Sequence, residues 1–225
     1  MNILGIDASN KGLLIALKNN NSIHYKENFE KNSGSYIVSL IDMLLKENNL
    51  NIDDIDLFGC TIGPGSFTGI RISIASIQGL LFHRNKYVVP VISTEILFNS
   101  YNGIHKKSKI AILKRARVDA AYVHIFENEK TIFEPNLVSI NDLKDIIQNS
   151  YLLGDESIYF KEKLHLDNEI LTADYSLNAF VNYIEQNKDK AIPAKDLKIL
   201  YLQKPLAVEN FEKKNKIQID NDIYN

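Results

Sequence analysis

The stretch Gly63-Pro64-Gly65-Ser66-Phe67-Thr68-Gly69-Ile70-Arg71-Ile72 constrains the fold of this chain more than any other. Three glycines and a proline fall within seven residues, and a long helical apolar pattern starts where they end. Glycine admits positive φ and lets another backbone or a ligand come close, while proline fixes its own φ. Ser66 or Thr68 can cap the helix, whose first N–H groups otherwise lack partners. Ile55 to Ile62 reads as the strand that delivers the loop. Two roles compete for such a unit: an anion site at the helix N-terminus, or a corner that packs the helix tightly. The spacing lacks the Gly-Lys-Ser/Thr of a P-loop and the G-x-G-x-x-G of a dinucleotide fold.

From Gly69 to His83, Ile70, Ile74, Ile77 and Leu81 form one apolar stripe. Ile72, Ala75, Leu80 and Phe82 form a second set, and Ser73, Ser76 and Gly79 are small enough for another backbone to approach. A surface helix needs one stripe of about 100°. The surplus predicts either a helix buried all round or one whose outer face meets another chain.

At 225 residues and 45% hydrophobic content, the chain can bury a substantial core, as one domain or two subdomains. Its net charge of −2 excludes a global attraction to nucleic acid, though Lys106, Lys107, Lys109, Lys114, Arg115 and Arg117 cluster in sequence. Such a cluster reads first as a solvated face and second as a nucleic-acid contact. The single cysteine, Cys60, excludes a disulfide framework and predicts a reducing compartment. With no apolar run approaching the ~18 residues of a membrane span and no secretory pattern, a cytoplasmic location is expected.

The order of elements reads as α/β. Ile3 to Ile6, Leu13 to Lys18 and Ile23 to Phe29 predict an antiparallel three-stranded meander. Ser35 to Lys46 predicts a helix; the glycine loop and its helix follow, then a strand at Val88 to Val91 and a helix from Ser93 to about Tyr101. Further strands are expected at Lys109 to Leu113, Ala120 to Phe126 and Tyr151 to Gly154. Helices are expected from Asn141 and over Ser176 to Gln186, and the polar stretch 209–225 reads as loose.

Groups able to do chemistry are sparse. Asp7, at the tip of the first strand, can hold a magnesium–phosphate group with Ser9 nearby, or cap its own turn through an Asx-type bond; the second role is the expected one. The histidines at 24, 83, 105, 124 and 165 are dispersed, so no metal site is expected. Cys60 sits in an apolar strand as a core residue, and Ser66, Ser73 and Ser76 lack the G-x-S-x-G setting of a nucleophile.

Ile-Leu-Gly-Ile-Asp-Ala-Ser at 3–9 and Gly-Pro-Gly-Ser-Phe-Thr-Gly-Ile-Arg-Ile at 63–72 together resemble the TsaB (YeaZ) family. Ala75, Gln78-Gly79-Leu80 and Val91-Ile92-Ser93-Thr94 continue the likeness, which is dense to about residue 100. Beyond that it rests on Ala116-Arg117, Tyr122, Gly154-Asp155 and Tyr201-Leu202.

The resemblance implies an actin-like ATPase fold of two ribonuclease-H-like subdomains, here 1–102 and 103–208, followed by the tail 209–225. It implies a non-catalytic scaffold subunit in the biosynthesis of N6-threonylcarbamoyladenosine at position 37 of tRNAs that read ANN codons. Such a subunit pairs with and activates its catalytic paralogue TsaD, works with the small ATPase TsaE, and meets tRNA through the complex. ATP and metal are expected on those partners and no cofactor on this chain. The paralogue's metal-binding histidines lie on its first long helix, whereas Ser35 to Lys46 has none. The expected partner contact is Ile37, Ile41, Leu44, Ile70, Ser73, Ile74 and Ile77, with a homodimer through the same helices when the chain is alone.

Gly63, Pro64, Gly65, Ser66 and Gly69 are expected as the structural loop, and Asp7 with Ser9 as the candidate phosphate or nucleotide position. The family's Asp-Ala-Arg and Glu-Val-Tyr stand here as Arg115-Ala116-Arg117 and Ala120-Ala121-Tyr122, which removes two acidic positions. A nucleotide-handling ATPase or kinase of the same fold, using Asp7, is the alternative class. A hydrolase acting on a partner lacks a nucleophile–base pair.

Overall fold

The structure is a computed structural model that describes residues 1–30, 33–202, 211–212 and 214–215. Of the tail expected to be loose, only Phe211, Glu212, Lys214 and Asn215 lie among the described residues. No described helix is long and apolar enough to cross a membrane.

Two sheets carry the fold. In the first, β1 (Ile3–Asp7), β2 (Leu13–Asn19) and β3 (Ser22–Asn28) form the expected antiparallel meander. β4 (Leu57–Gly63) pairs parallel to β1, and β5 (Tyr87–Ile92) parallel to β4. In the second, β6 (Ile110–Arg117), β7 (Ala120–Glu127) and β8 (Lys130–Ser139) form a meander. There β9 (Tyr151–Leu153) runs parallel to β6 and β10 (Ile170–Leu171) parallel to β9. Both sheets thus share one strand order, a meander extended by two parallel strands on the side of its first member. This repeated ribonuclease-H-like order is the actin-like architecture that the family resemblance implies.

Strand alternation decides what each face of the first sheet buries. Leu4, Ile6, Phe58 and Cys60 meet α1 (Ile37–Glu47) and α2 (Phe67–Leu80) on one side. Ile3, Leu57, Val89 and Val91 meet α3 (Ser93–Ser100) and α6 (Leu177–Gln186) on the other. Gly5 and Gly59 belong to that second face, where an added Cβ would lie 2.6 Å from the Phe180 ring and 2.3 Å from Ile184. The absent side chains let α6 settle onto the sheet.

In the second sheet, Ala111, Leu113, Val123 and Ile125 pack with Leu143 of α4 (Ile140–Ile146) and Phe160 of α5 (Glu156–Leu164). α3 lies between the two sheets: Ile96 joins the core of the first, and Phe98 stacks on Phe126 of the second at 4.0 Å.

Three features depart from the sequence reading. The strand expected from Ile55 begins at Leu57, because Asn51 donates its N–H to Asp54 Oδ2 at 2.7 Å and closes a 3-10 turn over Ile52–Asp54. β8 and α5 were not anticipated. β8 alternates exposed and half-buried residues along most of its length, and α5 buries only Ser157 and Phe160, so neither carries a strong apolar pattern. The assignment of all of 103–208 to the second subdomain also needs correction. α6 and β11 (Ile192–Pro193) return to the first sheet, where β11 pairs antiparallel with β5, so 177–197 belong with the N-terminal subdomain.

Candidate functional site

The glycine loop clamps the turn between β1 and β2. Ser66 donates its N–H to the Ser9 carbonyl at 2.7 Å, and its Oγ accepts from the Gly69 N–H at 3.3 Å as the N-cap of α2. A Cβ added to Gly65 would lie 2.2 Å from the Ser9 carbonyl oxygen, and one on Gly69 would lie 2.2 Å from that of Ala8. Gly63 has φ +133°, a backbone conformation suited to glycine. On the far side, Ser93 Oγ donates to the Pro64 carbonyl at 2.5 Å. Close backbone packing therefore explains Gly65 and Gly69 directly.

Asp7 is 5% exposed, and its Oδ1 accepts the Ser9 N–H at 2.8 Å. This is the Asx-type turn expected for it. Its neighbours feel its charge: burial and Asp7 together push the Tyr175 hydroxyl and the Cys60 thiol well above their ordinary ranges. Cys60 is thus a protonated core residue. Asp7 faces a small pocket of ≈ 160 Å³ with Lys11, Glu27 and Tyr175 rather than the main cleft.

That main cleft, ≈ 980 Å³, opens between the sheets. It is lined by the β1–β2 turn, the start of α2, the end of β6 and the turn between β9 and α5. At its wall lies Lys114, 5% exposed, whose Nζ donates to Asn10 Oδ1 at 2.7 Å and so ties the two sheets together. Burial lowers its pKa from the ordinary lysine value, while the Glu156 and Asp7 charges act in the opposite sense. Arg115 is also in the lining: its guanidinium sits 3.6 Å from Glu156, and its backbone N–H donates to the same carboxylate at 2.7 Å.

The basic run from 106 to 117 is dispersed rather than gathered into one patch. Lys106 lies over the Phe98 ring at 3.8 Å, Lys109 donates to the Gln148 carbonyl, and Lys114 turns inward. Strand alternation along β6 separates adjacent side chains that sequence proximity groups together.

The seven residues expected at a partner contact require correction. Ile37, Ile41, Leu44, Ile70, Ser73, Ile74 and Ile77 are all buried, and the six apolar ones form the core between the helices and the first sheet. The exposed apolar side chains of these two helices and the turn before α1 are instead Tyr36, Val38, Met43, Phe67 and Ile72. Ile72 crosses from α2 to that turn, where a Cβ on Gly34 would lie 2.8 Å from its Cγ2. The outward faces of α1 and α2 are therefore joined into one surface. Arg71 lies beside it, over the Phe67 ring at 3.9 Å and 3.2 Å from the Tyr201 hydroxyl.

The TsaB of Haemophilus influenzae is 25% identical over 131 residues, covering 58% of this chain and 56% of that protein. The TsaB of Bacillus subtilis is 28% identical over 136 residues, 60% of this chain and 58% of the relative. These matches span little more than half the length of either relative. The TsaB of Buchnera aphidicola subsp. Acyrthosiphon pisum matches at 22% over 92% of this chain and 94% of its own. YeaZ from Pseudomonas aeruginosa superposes with a TM-score of 0.72 at 17% identity, over 89% of this chain and all of that one, and shows the same fold. Residues 22–163 match the family model of TsaD, tRNA N6-adenosine threonylcarbamoyltransferase. The chain belongs to this family, in its TsaB (YeaZ) group.

The TsaD-family match takes in α1, the glycine loop and α2, and runs on through β6 to β9 into α5. Lys114 of the cleft is read from sequence only within a basic run, Asn10 and Tyr175 are not singled out, and Phe67, Arg71 and Tyr201 enter only within the family likeness. The turn-forming Ser9-Asn10-Lys11 and the strand period of β6 were the available signals for the first two. Tyr175 and Tyr201 are brought in by tertiary folding, and no local pattern marks Tyr175.

Proposed function

We propose that this chain is the non-catalytic scaffold in the biosynthesis of N6-threonylcarbamoyladenosine at adenosine 37 of tRNAs that read ANN codons. It acts in the cytoplasm by pairing with and activating the catalytic paralogue TsaD, in concert with TsaE, and tRNA is engaged through the complex. ATP and metal are handled by those partners, and this chain carries no cofactor of its own.

The observation that carries the reading is the joined outer surface of α1 and α2, where Tyr36, Val38, Met43, Phe67 and Ile72 remain exposed on elements whose inner faces are already satisfied. A cluster of large apolar side chains around an arginine and two aromatics has the composition of an interface centre. Alone, the chain uses the same surface to pair with a second copy. The Asx turn at Asp7 supports the scaffold over a kinase, because one carboxylate oxygen is already engaged by the chain's own backbone.

Light scattering of this chain mixed with TsaD is expected to give the mass of a 1:1 complex. Ile72→Glu and Val38→Glu each weaken that complex about tenfold or more, while their melting temperatures stay within about 2 °C of wild type. A complex of unchanged affinity in both variants would overturn this placement of the contact.

A further inference from the structure

We propose that Asn102-Gly103, in the turn between α3 and β6, is a site of spontaneous deamidation that places an aspartate or isoaspartate at the junction of the two sheets. The inference is independent of the partner reading.

Asn102-Gly103 is the chain's single Asn-Gly pair. Deamidation starts when the backbone nitrogen of the following residue attacks the asparagine side-chain carbonyl carbon. Glycine hinders that approach least, because it has no Cβ. Asn102 is exposed, and neither its side chain nor the Gly103 N–H has a hydrogen-bond partner among the described residues. Gly103 is held through its carbonyl, which accepts the Lys106 N–H at 3.1 Å. Ile104, the next residue, is 94% exposed, so the turn stands out into water. The attack breaks no hydrogen bond of the fold.

Comparable asparagines are protected. The nitrogen after Asn149 is that of Ser150, whose N–H donates to the Ile147 carbonyl at 3.1 Å. Asn99-Ser100 lies within α3, where the helical ladder engages the Ser100 N–H. Packing explains why residue 103 is glycine: a Cβ there would lie 2.2 Å from the hydroxyl of Tyr101, a side chain only 8% exposed. A glycine required by a buried tyrosine thus leaves its neighbour open to attack.

The step balances with water as the only co-reactant. The new bond joins the Gly103 nitrogen to Asn102 Cγ, the carboxamide C–N bond breaks, and the displaced nitrogen leaves as ammonia with the proton of the attacking amide. Water then adds to one of the two carbonyls of the cyclic imide. Opening on one side gives aspartate. Opening on the other gives isoaspartate, whose main chain runs through Cγ and is one carbon longer.

Either product adds a negative charge to a chain of net charge −2, in the same turn as His105, Lys106 and Lys107. The extra carbon of isoaspartate falls between Tyr101, packed in the core, and Lys106, which lies over the Phe98 ring at 3.8 Å. It therefore lengthens the segment that leads from α3 into the second sheet.

The test incubates the full chain, folded and in guanidinium chloride, at mildly alkaline and mildly acidic pH, and maps its peptides over time. The Asn102 peptide is expected to yield aspartate and isoaspartate forms, faster in alkali because the attacking amide must lose its proton. With no hydrogen bond to break first, its rate in the folded chain stays within about tenfold of that in denaturant. The Asn149 peptide of the folded chain is expected to react more slowly than the Asn102 peptide, and Asn102→Gln to remove the products at 102. Protection of Asn102 by folding beyond about tenfold would overturn the proposal. So would modification of Asn149 as fast as that of Asn102 in the folded chain.

Discussion

Gly69→Ala is expected to destabilise this chain by about 2 kcal/mol or more, although alanine is the better helix former by about 1 kcal/mol. The new Cβ would lie 2.2 Å from the Ala8 carbonyl oxygen and 3.2 Å from both the carbonyl carbon and the Cβ of Ala8. These are atoms of a turn already fixed by Ser66 and Asp7, so no side chain can swing aside. α2 cannot retreat either, because Ile70, Ile74 and Ile77 hold it in the core.

Gly79, near the other end of the same helix, has nothing within 4 Å of its Cβ position. Gly79→Ala should therefore stabilise by about 0.5–1 kcal/mol. Urea unfolding of both variants checks the pair. Shifts of the same sign would show that the contact at Ala8 does not govern the glycine at 69.

The second large effect is acid sensitivity at His124. This ring is fully buried, with Nδ1 2.7 Å from Thr94 Oγ1 and Nε2 3.1 Å from Thr131 Oγ1, which links α3 to β7 and β8. Burial lowers its pKa from the ordinary 6.5 to about 3. The unfolded chain thus binds the proton more readily than the folded one between those values. Stability from this group is complete above pH 6.5 and falls as pH drops toward 3.

A shift of this size amounts to about 4–5 kcal/mol at its limit, and to about 2 kcal/mol by pH 5. His124→Gln keeps a donor and an acceptor but does not titrate. Urea midpoints taken from pH 7.5 to 5 should fall more steeply for wild type than for this variant. Parallel curves would refute the assignment.

Much of the first sheet was legible because its strands and helices carry strong, separate periods. The meander of β1 to β3, the strand–loop–helix unit and α6 all appear close to their expected bounds. Periodicity failed to say which apolar stripe faces inward. The stripe Ile70, Ile74 and Ile77 was assigned to a partner, yet it is the face turned to the sheet. Part of α2's surplus is met by a segment more than a hundred residues away, since Ala194 and Leu197 join the same cluster and Gln78 donates to the Leu197 carbonyl at 3.0 Å.

In the cleft, Asp7 and the glycines could be read from their local turns. Lys114 could not, because its meaning comes from Asn10 across the gap between sheets. Among basic neighbours in sequence, burial alone distinguishes it.

The return of α6 to Gly5 and Gly59 orders events during synthesis. Strands β1, β4 and β5 can assemble early and take α1 and α2 onto one face as the chain emerges. Their other face receives Ile96 of α3 but waits for Phe180, Val181 and Ile184, and the edge beside β5 waits for Ile192. A nascent chain halted before these residues exposes an apolar sheet and an open edge, the features that invite aggregation and chaperone capture. The half of the molecule that is translated first is therefore the half completed last.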